Sequence, residues 1–156
     1  MAGAQFDYRV DDEGVYSTTF TLFYPYSRTV GPTIGRFLTG LRERRIEGVR
    51  AADGRVLVPP PDFDPHSGQA STEWVAVADE GTIVTWSWVP EPVEGQPLDH
   101  PFAWALIKLD GADTNLLHAV DVASPSAIAS GARVKARWAD EPIGAITDIA
   151  CFEVTA

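Results

Sequence analysis

Residues 101–111 read P-F-A-W-A-L-I-K-L-D-G. From Phe102 to Leu109 only Lys108 is polar, so both faces of this stretch are apolar, which predicts the central strand of a sheet buried on two sides. Asp110 and Gly111 open a turn, and residues 114–120 carry the chain back antiparallel. Upstream, residues 73–77 form a strand, residues 79–82 a tight turn, and residues 83–89 alternate strictly, placing Val84, Trp86 and Trp88 on one face. Residues 90–101 are an acidic, proline-rich loop. Downstream, Pro125 starts and Gly131 ends a short helical turn, and residues 132–138 and 148–154 supply the last strands. Five or six strands with one short helix between the third or fourth and the last fit a small Greek-key barrel. The pattern itself leaves open which small barrel.

Ahead of the barrel, Gly31-Pro32 suits a helix start. Ile34, Phe37, Leu38, Leu41 and Arg45 follow i, i+3, i+4, i+7 spacing and define one face. Arg36, Arg42, Glu43 and Arg44 occupy much of the rest. Gly40 weakens this helix modestly, and Gly48 ends the turn after it. Residues 15–24 are aromatic and β-branched with no partner strand close by in sequence, so the first 28 residues read as an extended arm.

Between helix and barrel, residues 48–68 read G-V-R-A-A-D-G-R-V-L-V-P-P-P-D-F-D-P-H-S-G. A zinc ribbon brings four thiolates onto a tetrahedral ion from two C-x-x-C-G knuckles. Here the knuckle slots are Arg50-Ala51-Ala52-Asp53-Gly54 and Asp64-Pro65-His66-Ser67-Gly68. The glycines and the Pro59-Pro60 turn are present, but the four ligand positions hold Arg50, Asp53, Asp64 and Ser67. Two carboxylates, a hydroxyl and a guanidinium are a poor zinc set. Either an Arg–Asp cluster replaces the metal as a polar cross-link, or these are surface charges around a loop.

Taken together, these segments resemble a family of small acyl-CoA-associated proteins of formally unknown function. In that family an N-terminal helix and a rubredoxin-like zinc ribbon precede an OB-fold. Its barrel pattern is matched by residues 81–87 (G-T-I-V-T-W-S, spaced one residue wider), 101–111 and 131–136 (G-A-R-V-K-A). The likeness runs from about residue 30 to 153. It implies a mainly β chain in three parts: an arm at 1–28, a helix plus a degenerate, metal-free ribbon at 29–70, and a five-stranded OB-fold barrel at 71–156.

Composition narrows the function. The 156 residues carry 22 acids against 12 bases, a net charge of −10. An OB-fold that binds single strands uses a positive groove, and this balance opposes one. The aromatics Trp86, Trp88, Phe102 and Trp104 would then fill a core or line an apolar channel rather than stack bases. No run reaches the length of a membrane span, the first residues lack the pattern of a signal peptide, and the single cysteine, Cys151, reads as a buried core thiol. A cytoplasmic protein without nucleic-acid or membrane partners is expected.

Chemistry is sparse. Asp99-His100 could form an oriented general base, or simply a polar loop tip. His118 lies mid-strand, either facing solvent or hydrogen-bonded locally. His66 sits in the ribbon. The resemblance implies instead a cofactor-free, non-catalytic accessory subunit. Its partner would be a thiolase-like enzyme or retro-aldolase acting on acyl-CoA thioesters, as in steroid side-chain degradation, with acyl-CoA at a shared site. Tyr24, Tyr26, Arg28, Arg36, Phe37, Leu41, Arg44 and Arg45 are the candidate contacts. A single-stranded nucleic-acid-binding module and a small stand-alone thioester enzyme are the alternatives.

Overall fold

The structure, a computed structural model, describes residues 8–18 and 25–155. Strands β6 (Glu80–Val89), β7 (Phe102–Leu109), β8 (Asn115–Asp121), β9 (Arg133–Trp138) and β10 (Ile149–Val154) close into a barrel in the order β10-β8-β7-β6-β9. All pairings are antiparallel except β10 with β8. The strand predicted to be central, β7, is hydrogen-bonded along its whole length, to β6 on one side and β8 on the other.

Ahead of the barrel come a hairpin, β1 (Tyr8–Val10) with β2 (Tyr16–Thr18), the helix α1 (Gly31–Arg42), and a three-stranded sheet. That sheet is β3 (Ile46–Arg50), β4 (Val56–Leu57) and β5 (Trp74–Val77), in the order β4-β3-β5. The hairpin corrects the expectation that residues 15–24 lack a nearby partner strand. Its turn is built by Asp11, whose Oδ1 accepts the amides of Glu13 (3.0 Å) and Val15 (2.9 Å), with Gly14 at φ +78°.

One core unites helix, small sheet and barrel. Phe37 and Leu41 of α1 are 3% and 0% exposed and pack with Ile46, Val56, Ile83, Ile107 and Phe152. Each such side chain contributes about 1.5–3 kcal/mol when fully buried. The helix ends at Arg42, where the Gly40 carbonyl accepts the amides of both Glu43 (2.9 Å) and Arg45 (2.8 Å). Arg45 therefore lies beyond the helix, not on its apolar face. Gly48 does not end a turn but sits inside β3.

Two local readings of the barrel change. A β-bulge between Ile83 and Thr85 leaves Val84 outside the register. Val84 is 45% exposed, while Ile83, Trp86 and Trp88 turn to the core, so the strict alternation breaks at Val84. The residues of the predicted turn at 79–82 from Glu80 onward belong to β6. Opposite Trp86 and Trp88 stand Ala105 and Ala103, small residues that leave room for indole rings in the barrel's interior. Phe102 and Trp104 occupy the other face of β7, edge to face at 5.4 Å, under the loop of residues 90–101. The four aromatics are thus divided between two faces and form no single platform.

Candidate functional site

The segment at residues 48–68 forms two glycine-closed loops and holds none of the thiolates of a zinc ribbon. In the first knuckle Gly54 (φ +88°) donates to the Ala51 carbonyl (2.9 Å), and in the second Gly68 (φ +68°) donates to the Asp64 carbonyl (2.9 Å). Left-handed backbone at both positions explains why glycine survives in each slot. The ligand positions have separate partners. Arg50 bonds Glu73 (2.7 Å) and the Gly54 carbonyl (3.0 Å), and Asp53 bonds Arg55 (2.7 Å). The Arg–Asp cross-link is therefore replaced by another device, a carboxylate held by amides.

That carboxylate is Asp64, 7% exposed. Its Oδ2 accepts the Ala52 amide of the first knuckle (2.7 Å). Its Oδ1 accepts the Ser67 (2.7 Å) and His66 (2.8 Å) amides of the second. One side chain thus ties both loops together, as a metal would. Bonds from the Ser67, Ala52 and His66 amides hold its carboxyl far below the usual carboxylate range. With both oxygens committed and a guanidinium and a hydroxyl at two other slots, these residues do not fit a zinc ion.

The helix arginines are unequal. Arg36 makes two bonds to Glu47 (2.8 and 3.2 Å) and lies 4.2 Å from the centre of the Trp74 ring. Arg45 pairs with Glu47 (2.5 Å) and Glu43 (2.7 Å). Glu47, 7% exposed, is held below its ordinary pKa chiefly by Arg36. Arg36 and Arg45 therefore fasten the helix and the turn after it to β3, whereas Arg28, Arg42 and Arg44 are exposed and make no ion pair among the described residues. The Arg44 side chain reaches the Ala139 carbonyl, at 3.4 Å. Tyr26 is 78% exposed, Phe37 and Leu41 are committed to the core, and Tyr24 lies outside the described residues. The apolar face of α1 thus packs on its own domain. Glu47 was missed in the sequence; the signal for it was a lone acid inside an apolar strand beside an arginine-rich helix.

His100 has a third partner that its sequence neighbours did not reveal. Its Nδ1 lies 3.1 Å from Asp99, and its Nε2 lies 3.0 Å from Asp121 on β8. Asp121 also meets Arg137 (3.0 Å), which pairs with Glu153 (2.7 Å). With both ring nitrogens engaged by carboxylates, His100 clamps the loop to the barrel rather than serving as a free base. Asp121, Cys151 and Glu153 are the one cluster among the described residues with metal-ligand proximity, but Arg137 already holds the cation's place between its acids. Burial pushes the Cys151 thiol up to about 11, as suits a core cysteine. His118 is buried, not solvent-facing: its Nδ1 accepts the Ala119 amide (3.0 Å), and burial lowers its pKa.

The clamp makes a pH prediction. Hydrogen bonds to Asp121 and then Asp99 raise the His100 pKa above its ordinary 6.5. Its contribution to stability is complete below that ordinary value and is lost as pH rises through the raised folded one. A melting-temperature profile should therefore fall more steeply above about pH 6.5 in the wild type than in His100→Gln. Parallel profiles would dismiss the clamp.

A family model described as the C-terminal OB-fold domain of ChsH2 matches residues 74–139, which span β5 to just past β9. The chain thus resembles OB-fold proteins of the DUF35 family. A DUF35 domain-containing scaffold protein of Pyrococcus furiosus is 27% identical over 103 residues, 65% of this chain and 75% of its own. Two solved structures share the fold. One is a DUF35-family protein of unknown function from Sulfolobus solfataricus, with TM-score 0.58 and 23% identity, covering 80% of this chain and 83% of that one. The other is the Ltp2-ChsH2(DUF35) aldolase, with TM-score 0.61 and 20% identity, covering 82% of this chain and 98% of that one. Among the described residues no helix is long and apolar enough to cross a membrane.

Proposed function

We propose that this protein belongs to the DUF35 family and is a non-catalytic accessory subunit of a thiolase-like enzyme or retro-aldolase. The observation that carries the reading is the ChsH2-type OB-fold domain at residues 74–139. A relative named as a scaffold protein and a fold neighbour that is an aldolase complex support it. In this reading the subunit works in the cytoplasm on a partner that handles acyl-CoA thioesters, with steroid side chains as the substrate class. The arm (1–28) and the helix–ribbon part (29–70) meet the partner, and the OB-fold part (71–156), whose barrel strands begin at Glu80, sets their position. Of the candidate set, Tyr26 is exposed, and Arg28 and Arg44 are exposed and make no ion pair among the described residues, so Arg28 and Arg44 are the cations available for CoA phosphates or an acidic partner surface.

The test is affinity capture from the native lysate with mass spectrometry. A thiolase-fold protein recovered in near-equal amount supports the reading, and its absence from repeated captures counts against it. Arg28→Glu combined with Arg44→Glu should reduce recovery of that partner about tenfold or more. The melting temperature should barely change, because exposed charges contribute about 0–1 kcal/mol.

A further inference from the structure

A cavity of about 510 Å³ opens beside the seam where β8 and β10 part. The two strands pair only at Phe152↔Val120 and Glu153↔Asp121. Continuing that register backwards would bring Ile149 level with Leu117 and Ala150 level with His118, but there the ladder is open, and these residues form the cavity's two lips. The turn before β10 keeps the strands apart: Asp148, 1% exposed, gathers the amides of Ile143 (2.8 Å), Gly144 (2.8 Å) and Ala145 (3.2 Å). That bonding fixes Ile146 and Thr147 at the rim. Trp104 closes one side.

The opposite wall belongs to the loop of residues 90–101, through Gly95 and Pro97. This wall is anchored at several points. Val93 and Gln96 exchange hydrogen bonds (3.2 and 3.1 Å), Leu98 packs on the cluster of Phe102, Ala119 and Cys151, and His100 is clamped to Asp121. The cavity is therefore preformed, and its volume falls within the roughly 300–1,000 Å³ of small-molecule sites.

The chemistry of the lining defines the ligand. In a chain with 22 acids and 12 bases, no Asp, Glu, Lys or Arg among the described residues lines this cavity. A charged ligand would lose its hydration without finding a counter-ion. His118 spends its Nδ1 on the Ala119 amide and also bonds the backbone at Ile146. The Thr147 hydroxyl is left as the polar side-chain group at the rim. We propose that the cavity is a binding site for a small, neutral, predominantly apolar molecule carrying at most one hydrogen-bonding group. The inference is independent of the accessory-subunit reading and stands or falls without it.

The experiment titrates the neutral fluorophore N-phenyl-1-naphthylamine into the purified full chain. It is repeated with Leu117→Asp and Ile146→Asp, residues 58% and 43% exposed, and with Val84→Asp as an equally exposed change elsewhere. Light scattering of each protein accompanies the titrations. The expected result is saturation at one probe per chain, weakened about tenfold or more by either rim aspartate and unaffected by Val84→Asp. Absence of saturable binding overturns the proposal and leaves the lips as a surface for a protein partner. Equal binding by wild type and both folded rim variants overturns it as well. So does a wild-type dimer that either rim variant converts to a monomer, since a second copy would then fill the cavity.

Discussion

Gly81→Ala is expected to lower the melting temperature by roughly 6–12 °C, the equivalent of about 3 kcal/mol in a chain of this size. Gly81 is buried in β6, between Leu109 of β7 and Val134 of β9. A methyl group there would collide with the Lys108 carbonyl oxygen and approach the Leu109 Cα to 2.9 Å. Both obstacles are backbone, so no rotamer change relieves them, and two strands of a closed barrel would have to separate. The cause is space, not conformation. Gly111→Ala offers the contrast: its surroundings are open but its φ is +92°, so the cost is limited to left-handed strain of about 1–2 kcal/mol. Thermal unfolding of both variants checks the ranking. A Gly81→Ala protein melting with the wild type would refute the close approach of β6 to β7.

The second large effect falls on Asp64. Its folded carboxyl is held far below the ordinary carboxylate range by the Ser67, Ala52 and His66 amides. The stability it contributes is present above the unfolded value, near pH 3.9, and is lost as pH falls toward the folded value. Asp64→Asn keeps the size but supplies one acceptor oxygen in place of two, and turns an NH₂ group toward buried donors. The Ala52, His66 and Ser67 amides should exchange with solvent much faster in this variant at neutral pH. In the wild type the same acceleration should appear only in acid. EDTA should leave the wild-type melting temperature unchanged, since the cross-link between the knuckles is made by Asp64. Unchanged exchange in Asp64→Asn, or a melting point that drops with chelator, would count against it.

The strands of the barrel were legible because burial leaves a mark on each segment. β7, apolar on both faces, could hardly be anything but a doubly flanked strand, and the glycines at 54 and 68 marked the knuckles even without cysteines. What escaped was tertiary. The bulge at Val84 is invisible in an alternation that continues after one extra residue. Gly48 and Gly81, which read as turn residues, are glycine because another backbone passes over them. The acid that holds His100 lies 21 residues away and meets it only once the barrel exists. The helix arginines, which the sequence does not distinguish, are sorted by a single buried acid, Glu47. Asp64 was recognised as a lost ligand, but that its carboxylate would take over the ion's bridging role depends on amides that only the folded knuckles point at it.

The barrel's closing pairs have a consequence for how the chain reaches this structure. The pairings of β6 with β7 and of β7 with β8 join segments adjacent in sequence. Closure depends on β9 returning to β6, where Lys135 meets Glu80 across 55 residues, and on β10 settling beside β8. Loop closure over such distances is entropically costly and slow, so the β6-β7-β8 meander should form while β6 and β8 still have unpaired edges. During that interval the open backbone of β6, beside the exposed indoles of Trp86 and Trp88, is a template for pairing with another chain. The same strands that close the finished barrel are, until the last pairing forms, its point of greatest exposure to aggregation.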